Sequence, residues 1–331
     1  MSSLVPVHII GGGPAGSSAA IAARQQDRAV CLIEKSRFPR HKVCGEFLSP
    51  EIAPILESLG VWSTFLSAGP ARIGHLELHF GSFQRRCRLP DIAYGLSRYR
   101  FDEMLFARAL QMGAVHTTDS PDVGNSRISR PVITAYGRKS PSARRRLFGF
   151  KAHFEGPAND AVELYFFSGC YVGINPVEDG ITNVCGLGPE DVLSSQGFDF
   201  DSVVNACRKL SERLRPLRRT MRWLAAGPLV FQNRFKDALD PLEYPAGDAL
   251  SFVDPFTGSG LLSAVLTGQL AGLAAARGIG TDAYLSQCRQ RLQRPFMFSS
   301  VLRTLVANGW AERLARFVPG QWLVHLTRPR Y

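Results

Sequence analysis

The 331-residue chain is 45% apolar and 20% charged, a balance that excludes disorder, collagen-like repeats and a disulfide-stapled miniature. At this length it can bury roughly three quarters of its surface, as one large domain or two interleaved ones. The formal net charge of +11 excludes less, because its basic residues are spread over the whole length: six are lysine (Lys35, Lys42, Lys139, Lys151, Lys209 and Lys236) and the rest arginine. Local clusters occur at Arg85, Arg86 and Arg88, at Arg144–Arg146, and from Arg208 to Arg222. No aromatic-interleaved basic run, zinc finger or heptad-linked basic region accompanies them, so no nucleic-acid partner is expected. Seven cysteines, an odd number without a C-x-x-C pair, point to a reducing, cytoplasmic setting rather than a disulfide framework or zinc ribbon. Met1–Ser3 carries no basic segment and Leu4–Ile10 runs directly into glycines, so no leader peptide is expected.

In chain order, Val5–Ile10 reads as a strand, Gly11-Gly12-Gly13-Pro14-Ala15-Gly16 as a tight turn, Ser17–Gln26 as a helix of small residues, and Ala29–Ile33 as a second strand closed by Glu34 and Lys35. This is a βαβ unit with G-x-G-x-x-G at the strand-to-helix turn. Gly11 permits the turn, Gly13 lets a pyrophosphate approach backbone N–H groups, and Gly16 lets helix and strand lie close. The helix N-terminus offers unpaired donors to phosphate, and Glu34 sits where a carboxylate accepts ribose hydroxyls. Gly186-Leu187-Gly188-Pro189-Glu190-Asp191 also begins G-x-G, but it lacks the third glycine and the following strand and acid, and reads as a turn.

A loop at Arg37–Pro50 leads to a helix from Pro50 to about Leu59. His75–Phe80 alternates as a strand with His75, Glu77 and His79 on one face, a pattern far commoner on solvated strands than in metal sites, and no metal is expected. Arg98–Gly113 is an amphipathic helix and Val132–Ala135 a strand. Val162–Phe167, Cys170–Ile174 and Ile181–Leu187, separated by Ser168-Gly169 and Glu178-Asp179-Gly180, read as an antiparallel sheet. Helical character returns at Phe198–Arg222, and strand material near Gly227–Phe231. The 22 uncharged residues between Asp254 and Arg277 could span a bilayer by length. Their glycines, hydroxyls and Gln269 favour a helix packed tightly in a large domain. Thr281–Tyr331 reads as helices capping the fold, with peripheral membrane contact through Leu302, Trp310 and their basic neighbours left open.

With GGGPAG at 11–16, FPRHKVCGE at 38–46, Arg98 followed by Asp102, and Ala246-Gly247-Asp248 followed by DPFTGSG, the chain resembles the FAD-dependent superfamily of p-hydroxybenzoate hydroxylase, flavin-dependent halogenases and geranylgeranyl reductases, nearest the geranylgeranyl reductase-like branch. The resemblance implies an α/β fold: a Rossmann-like FAD-binding domain at 1–71, 91–145 and 232–280, an inserted antiparallel β-sheet substrate domain at 72–90 and 146–231, and C-terminal helices at 281–331. It implies that Asp248, after Gly247, contacts the ribityl chain, that Gly258, Ser259 and Gly260 lie beneath the isoalloxazine, and that Arg98 reaches the phosphates or ribityl chain. Cys44 and Gly45 would pass near the flavin ring, with Cys44 the candidate catalytic thiol.

Three departures from the pattern bear on function. The usual D-G after the strand at 132–135 is Ala135-Tyr136-Gly137, which argues against hydroxylase-type nicotinamide use. The Y-x-W-x-F-P or W-x-W-x-I-P of relatives is Tyr171-Val172-Gly173-Ile174-Asn175-Pro176, which makes Tyr171 and Asn175 the candidate substrate residues of a roomier, more polar site and sets halogenases aside. The stretch from Gly113 to Val132 is short for the meander the superfamily places there. The expected function is an FAD-dependent oxidoreductase that hydroxylates, or reduces a C=C bond of, a largely apolar isoprenoid- or polyketide-like molecule. NAD(P)H is a candidate electron donor, and the alternative is a degenerate flavoprotein that binds FAD or a lipid-like ligand without turnover.

Overall fold

The computed structural model describes residues 5–119, 131–138, 146–157, 159–229, 234–235, 239–252 and 258–292. The expected C-terminal helices beyond 292, most of the shortened 113–132 stretch and Pro255–Thr257 lie outside these residues.

The chain starts with β1 (Val7–Ile10), turns through three glycines into α1 (Pro14–Arg24) and returns as β2 (Val30–Ile33), paired parallel with β1 from Val7↔Val30 to Ile10↔Ile33. Pro14 at the first turn of α1 suits a position whose N–H needs no intrahelical partner. Short β3 (Phe47–Leu48), α2 (Ile52–Ser58) and α3 (Trp62–Ser67) precede a long ribbon of β4 (Ala71–Phe80) and β5 (Phe83–Gly95). Ser97 caps α4 (Arg98–Gln111) by accepting the Arg100 N–H. After β6 (Val115–Thr117) and β7 (Val132–Thr134) come the four strands β8 (Leu147–Glu155), β9 (Ala161–Phe167), β10 (Cys170–Pro176) and β11 (Ile181–Pro189). Then follow α5 (Glu190–Ser195), α6 (Phe200–Asn205), α7 (Arg208–Leu214), β12 (Arg218–Arg219), β13 (Leu224–Leu229), β14 (Glu243–Pro245) and α8 (Gly260–Arg277).

Two sheets result. Five parallel strands in the order β14-β7-β1-β2-β6 form the first, with strand order reversing at β1, beside the glycine turn. A crevice at such a reversal is where open α/β sheets bind nucleotides. Nine strands form the second sheet, ordered β12-β8-β11-β10-β9-β4-β5-β3 with β13 on β8.

The second sheet departs from the antiparallel expectation at one seam, where β4 pairs parallel with β9 from His75↔Ala161 to Phe80↔Phe166. Between them the chain returns along β5, visits the first sheet and re-enters through β8, the long connection that parallel neighbours require. Leu193, Phe200, Val203, Leu210 and Leu214 of α5–α7 cover one face of this sheet against Phe150, Tyr165, Val172 and Val184. Leu76, Leu78, Phe80, Leu164 and Phe166 point to the opposite face.

Other expectations are corrected by packing. Gly186–Pro189 is not a turn but the end of β11, paired with Phe150–Leu147. A Cβ on Gly186 would lie 2.2 Å from the Phe150 ring and one on Gly188 2.7 Å from Cys170 Sγ, so these glycines make room for side chains. Helix in the 198–222 stretch ends at Leu214, and Arg218–Arg219 pair with Glu155–Phe154 as strand. The small residues of α8 serve contact with α1: a Cβ on Gly268 would lie 2.1 Å from the Ala15 carbonyl oxygen, and one on Gly272 2.3 Å from that of Ala19. Among the described residues, no helix is long and apolar enough to cross a membrane.

Candidate functional site

The glycine turn is built by steric necessity. Gly11 has φ +106°, and a Cβ there would lie 2.4 Å from the Ala135 carbonyl oxygen; one on Gly16 would lie 1.7 Å from the Gly11 carbonyl oxygen. Gly13 differs from both, because nothing lies within 4 Å of where its Cβ would be. The helix start, Pro14 and Ala15, therefore presents bare backbone to a cavity. Glu34 closes the turn: its buried carboxylate accepts the Gly12 N–H at 2.9 Å, the Ser36 N–H at 2.8 Å and Arg40 at 3.1 Å. Burial alone would raise this carboxyl, but the Ser36 and Gly12 amides and Arg40 hold it below the usual range.

Across the cavity, Gly247 at φ +61° begins a single turn of 3₁₀ helix packed on Ala15, its N–H donating to Thr267 Oγ1 at 2.9 Å. This places half-buried Asp248 on the cavity wall, with Arg138 Nε 3.7 Å from its Oδ2. Desolvation raises the Asp248 carboxyl, and Arg138 and Arg98 oppose the rise. Gly258 and Gly260 also line the cavity, while Ser259, at the N-cap of α8, is buried behind them, as Gly16 is behind α1.

The segment 44–46 passes between the two sheets and is clamped. Asn183 Nδ2 donates to the carbonyl oxygens of Cys44 at 3.2 Å and Gly45 at 2.9 Å, and the Glu46 N–H donates to Cys44 Sγ at 3.4 Å. Glu46, at φ +53° and fully buried, accepts the Arg98 N–H at 2.6 Å, pairs with His153 Nε2 at 2.7 Å and is ion-paired with the fully buried Lys151. Burial pushes the Glu46 carboxyl up, but Lys151 and His153 overcome it and hold it low. Arg98 lines the cavity, with Nε and one terminal nitrogen fixed by the two oxygens of buried Asp102 at 2.5 and 2.7 Å. Lys35 and Lys42 also line this end, and burial lowers the Lys42 ammonium.

Gly13, Glu34, Cys44, Glu46, Arg98 and Asp248 border one cavity of about 800 Å³. Its far wall is apolar: Leu76, Leu78 and Phe80 of β4, Leu164 and Phe166 of β9, Leu187 of β11 and Phe252. Tyr171, Gly173 and Asn175 alternate along β10 onto this wall, so the two candidate substrate residues share the chamber with Cys44. The sequence-based reading missed Glu46, Lys151, His153 and Asn183, which fix the Cys44 loop, and the apolar wall. Glu46 stood in the FPRHKVCGE run, whereas Lys151 and His153 lie on a strand that no periodicity marked.

Known proteins similar to this chain include flavin-dependent enzymes. The tryptophan halogenase family model matches residues 6–87. A menaquinone reductase of Mycolicibacterium smegmatis is 26% identical over 382 aligned positions, covering 100% of this chain and 87% of that protein. In fold, the flavin-dependent brominase Bmp2 superposes with a TM-score of 0.76 at 18% identity, covering 98% of this chain and 93% of that one. A geranylgeranyl bacteriochlorophyll reductase-like protein of Thermoplasma acidophilum gives 0.70 at 19% identity, covering 97% and 90%. The halogenase matches weigh against setting that class aside on Tyr171–Pro176 alone. The chain is an FAD-dependent oxidoreductase, similar in fold to the flavin-dependent halogenases and to the geranylgeranyl reductase-like proteins.

Proposed function

We propose that this enzyme reduces a C=C bond of an apolar, isoprenoid-like molecule such as a polyprenyl quinone. One observation carries the reading: the cavity that begins at the glycine turn and Glu34 ends in a chamber walled by Leu76, Leu78, Phe80, Leu164, Phe166 and Phe252. The end-to-end similarity to a menaquinone reductase supports the same substrate class.

The residues present fit FAD. Gly13 with its open approach, the N-terminus of α1 and Glu34 would take the pyrophosphate and adenosine ribose, and Asp248 and Arg98 the ribityl side. Gly258 and Gly260, at the start of α8, would lie against the ring, where the helix dipole favours negative charge. FAD supplies the two-electron chemistry when bound. The apolar wall excludes water and orients the chain of the substrate, with Tyr171 and Asn175 as its polar contacts. Saturating a double bond also takes up a proton, a role that would fall to Cys44, whose Sγ accepts the Glu46 N–H on the cavity wall.

Halogenation is the second reading, favoured by the family match to residues 6–87. Purified enzyme is reduced anaerobically, mixed with a panel of polyprenyl quinones and aromatic acceptors, and the products weighed by mass spectrometry with and without oxygen and bromide. Gain of two hydrogens without oxygen is the expected result. Brominated product formed only with oxygen and bromide, without any anaerobic saturation, replaces it with the second reading.

A further inference from the structure

The parallel seam between β4 and β9 brings together, on the sheet face opposite the cavity, residues 77 and 79 with 163 and 165. Its register sets Glu77 beside Glu163 and His79 beside Tyr165. The His79 ring lies flat on Tyr165, centroids 4.2 Å apart and planes 3° from parallel. His79 is 7% exposed; its Nδ1 makes no hydrogen bond, and its Nε2 has only a loose pairing with Glu77 at 3.5 Å. Burying a polar group that is not fully satisfied is costly, so this imidazole has capacity left for a ligand.

The two carboxylates are arranged to supply one. Glu77 Oε1 is held by Arg86, while Oε2 faces His79 Nε2 at 3.5 Å. Glu163 Oε1 accepts Arg213 Nε at 2.9 Å and Asn159 Nδ2 at 2.8 Å, and its Oε2 accepts the Tyr165 hydroxyl at 2.6 Å. One ligand atom from each of Glu77, His79 and Glu163 lies within 4.8 Å of the others. Around a tetrahedral ion with bonds of about 2.0–2.1 Å such atoms stand about 3.3 Å apart, so the His79–Glu77 separation already matches.

We propose that Glu77, His79 and Glu163 form a binding site for a divalent transition metal of the zinc type, with Arg86, Arg213 and Tyr165 orienting the carboxylates. One imidazole nitrogen and two carboxylate oxygens suit zinc or its neighbours better than calcium or magnesium, which take all-oxygen shells. The Tyr165 hydroxyl donates to Glu163 Oε2 and so orients that carboxylate. A metal here ties the β4–β9 seam to α7, which carries Arg213. The similar trio His41, Glu46 and His153 has no such unmet need, since Lys151 already neutralises Glu46. His75, on the same strand face, is turned away to Asp160 at 2.9 Å and takes no part.

The site is tested on the full chain after chelator treatment, by calorimetric titration with Zn²⁺ alone and by absorption after adding Co²⁺ alone. Wild type is expected to bind one equivalent of Zn²⁺, to melt at higher temperature with it, and to show Co²⁺ bands to the red of flavin absorption. His79→Ala and Glu77→Gln each weaken binding by about 100-fold or more, while His75→Ala binds as wild type does. Absence of stoichiometric Zn²⁺ binding in wild type overturns the proposal whatever the variants do. So does wild-type-like binding in both His79→Ala and Glu77→Gln. Neither outcome bears on the redox chemistry of the cavity.

Discussion

Glu46 and Lys151 form the buried ion pair on which the Cys44 loop depends, both fully buried. Removing one partner of such a pair leaves an uncompensated charge in a low-dielectric wall, at a cost of about 3–5 kcal/mol. Lys151→Met is therefore expected to lose that much stability in denaturant unfolding at neutral pH. Because Lys151 and His153 hold the folded Glu46 carboxyl below its unfolded value, its contribution is present above about pH 4.3 and is lost as pH falls through the folded value. The gap between Lys151→Met and wild type should then narrow on acidification; a gap that is constant from neutral to acid pH assigns the loss to packing instead. Cys44 and Arg98 were legible in the sequence because they stand in short runs. The groups that hold them were not, since Lys151 and His153 lie 105 and 107 positions from Glu46 and nothing local marks a lysine for burial.

Among elements, the pairing of α1 with α8 connects packing to cofactor binding. Gly268 and Gly272 let α8 approach within contact of the α1 backbone, and α1 in turn presents its N-terminus to the cavity. Gly268→Val drives a side chain into the Ala15 carbonyl and must separate the helices. We expect a loss of about 3 kcal/mol or more together with reduced flavin content, measured by thermal melting and visible absorption on the same preparation. Wild-type melting and full flavin content would refute this role for the contact. The small-residue composition of α8 was readable in advance, and so was its preference for close packing over a bilayer. Its partner was not readable, because any exposed small-residue stripe would have served.

For the molecule as a whole, several of the arginines are committed to ion pairs with carboxylates, which leaves the net excess of +11 unchanged. Arg86 with Glu77, Arg213 with Glu163 and Arg219 with Asp201 join separate elements, while Arg98 with Asp102 closes within α4 and Arg40 with Glu34 ties a loop to the end of β2. If FAD occupies the cavity as proposed, it stabilises the folded state by mass action, about 2.7 kcal/mol at a free concentration 100 times its dissociation constant. The melting temperature of wild type should rise with added FAD, and Gly13→Val and Asp248→Ala should show little or no rise; an equal rise in all three would displace the site from these residues. The βαβ unit, its glycine turn and the terminal Glu34 were determined by sequence alone, because turn geometry and steric clearance act over a few residues. The hairpins of the second sheet were legible for the same reason, through alternation bounded by Ser168-Gly169 and Glu178–Gly180. Only the tertiary structure decided the parallel β4–β9 seam, the cavity shared by both sheets, and the meeting of Glu77 and His79 with Glu163. Those depend on which distant segments return side by side, and pairing energies of that kind leave no periodic mark on the chain.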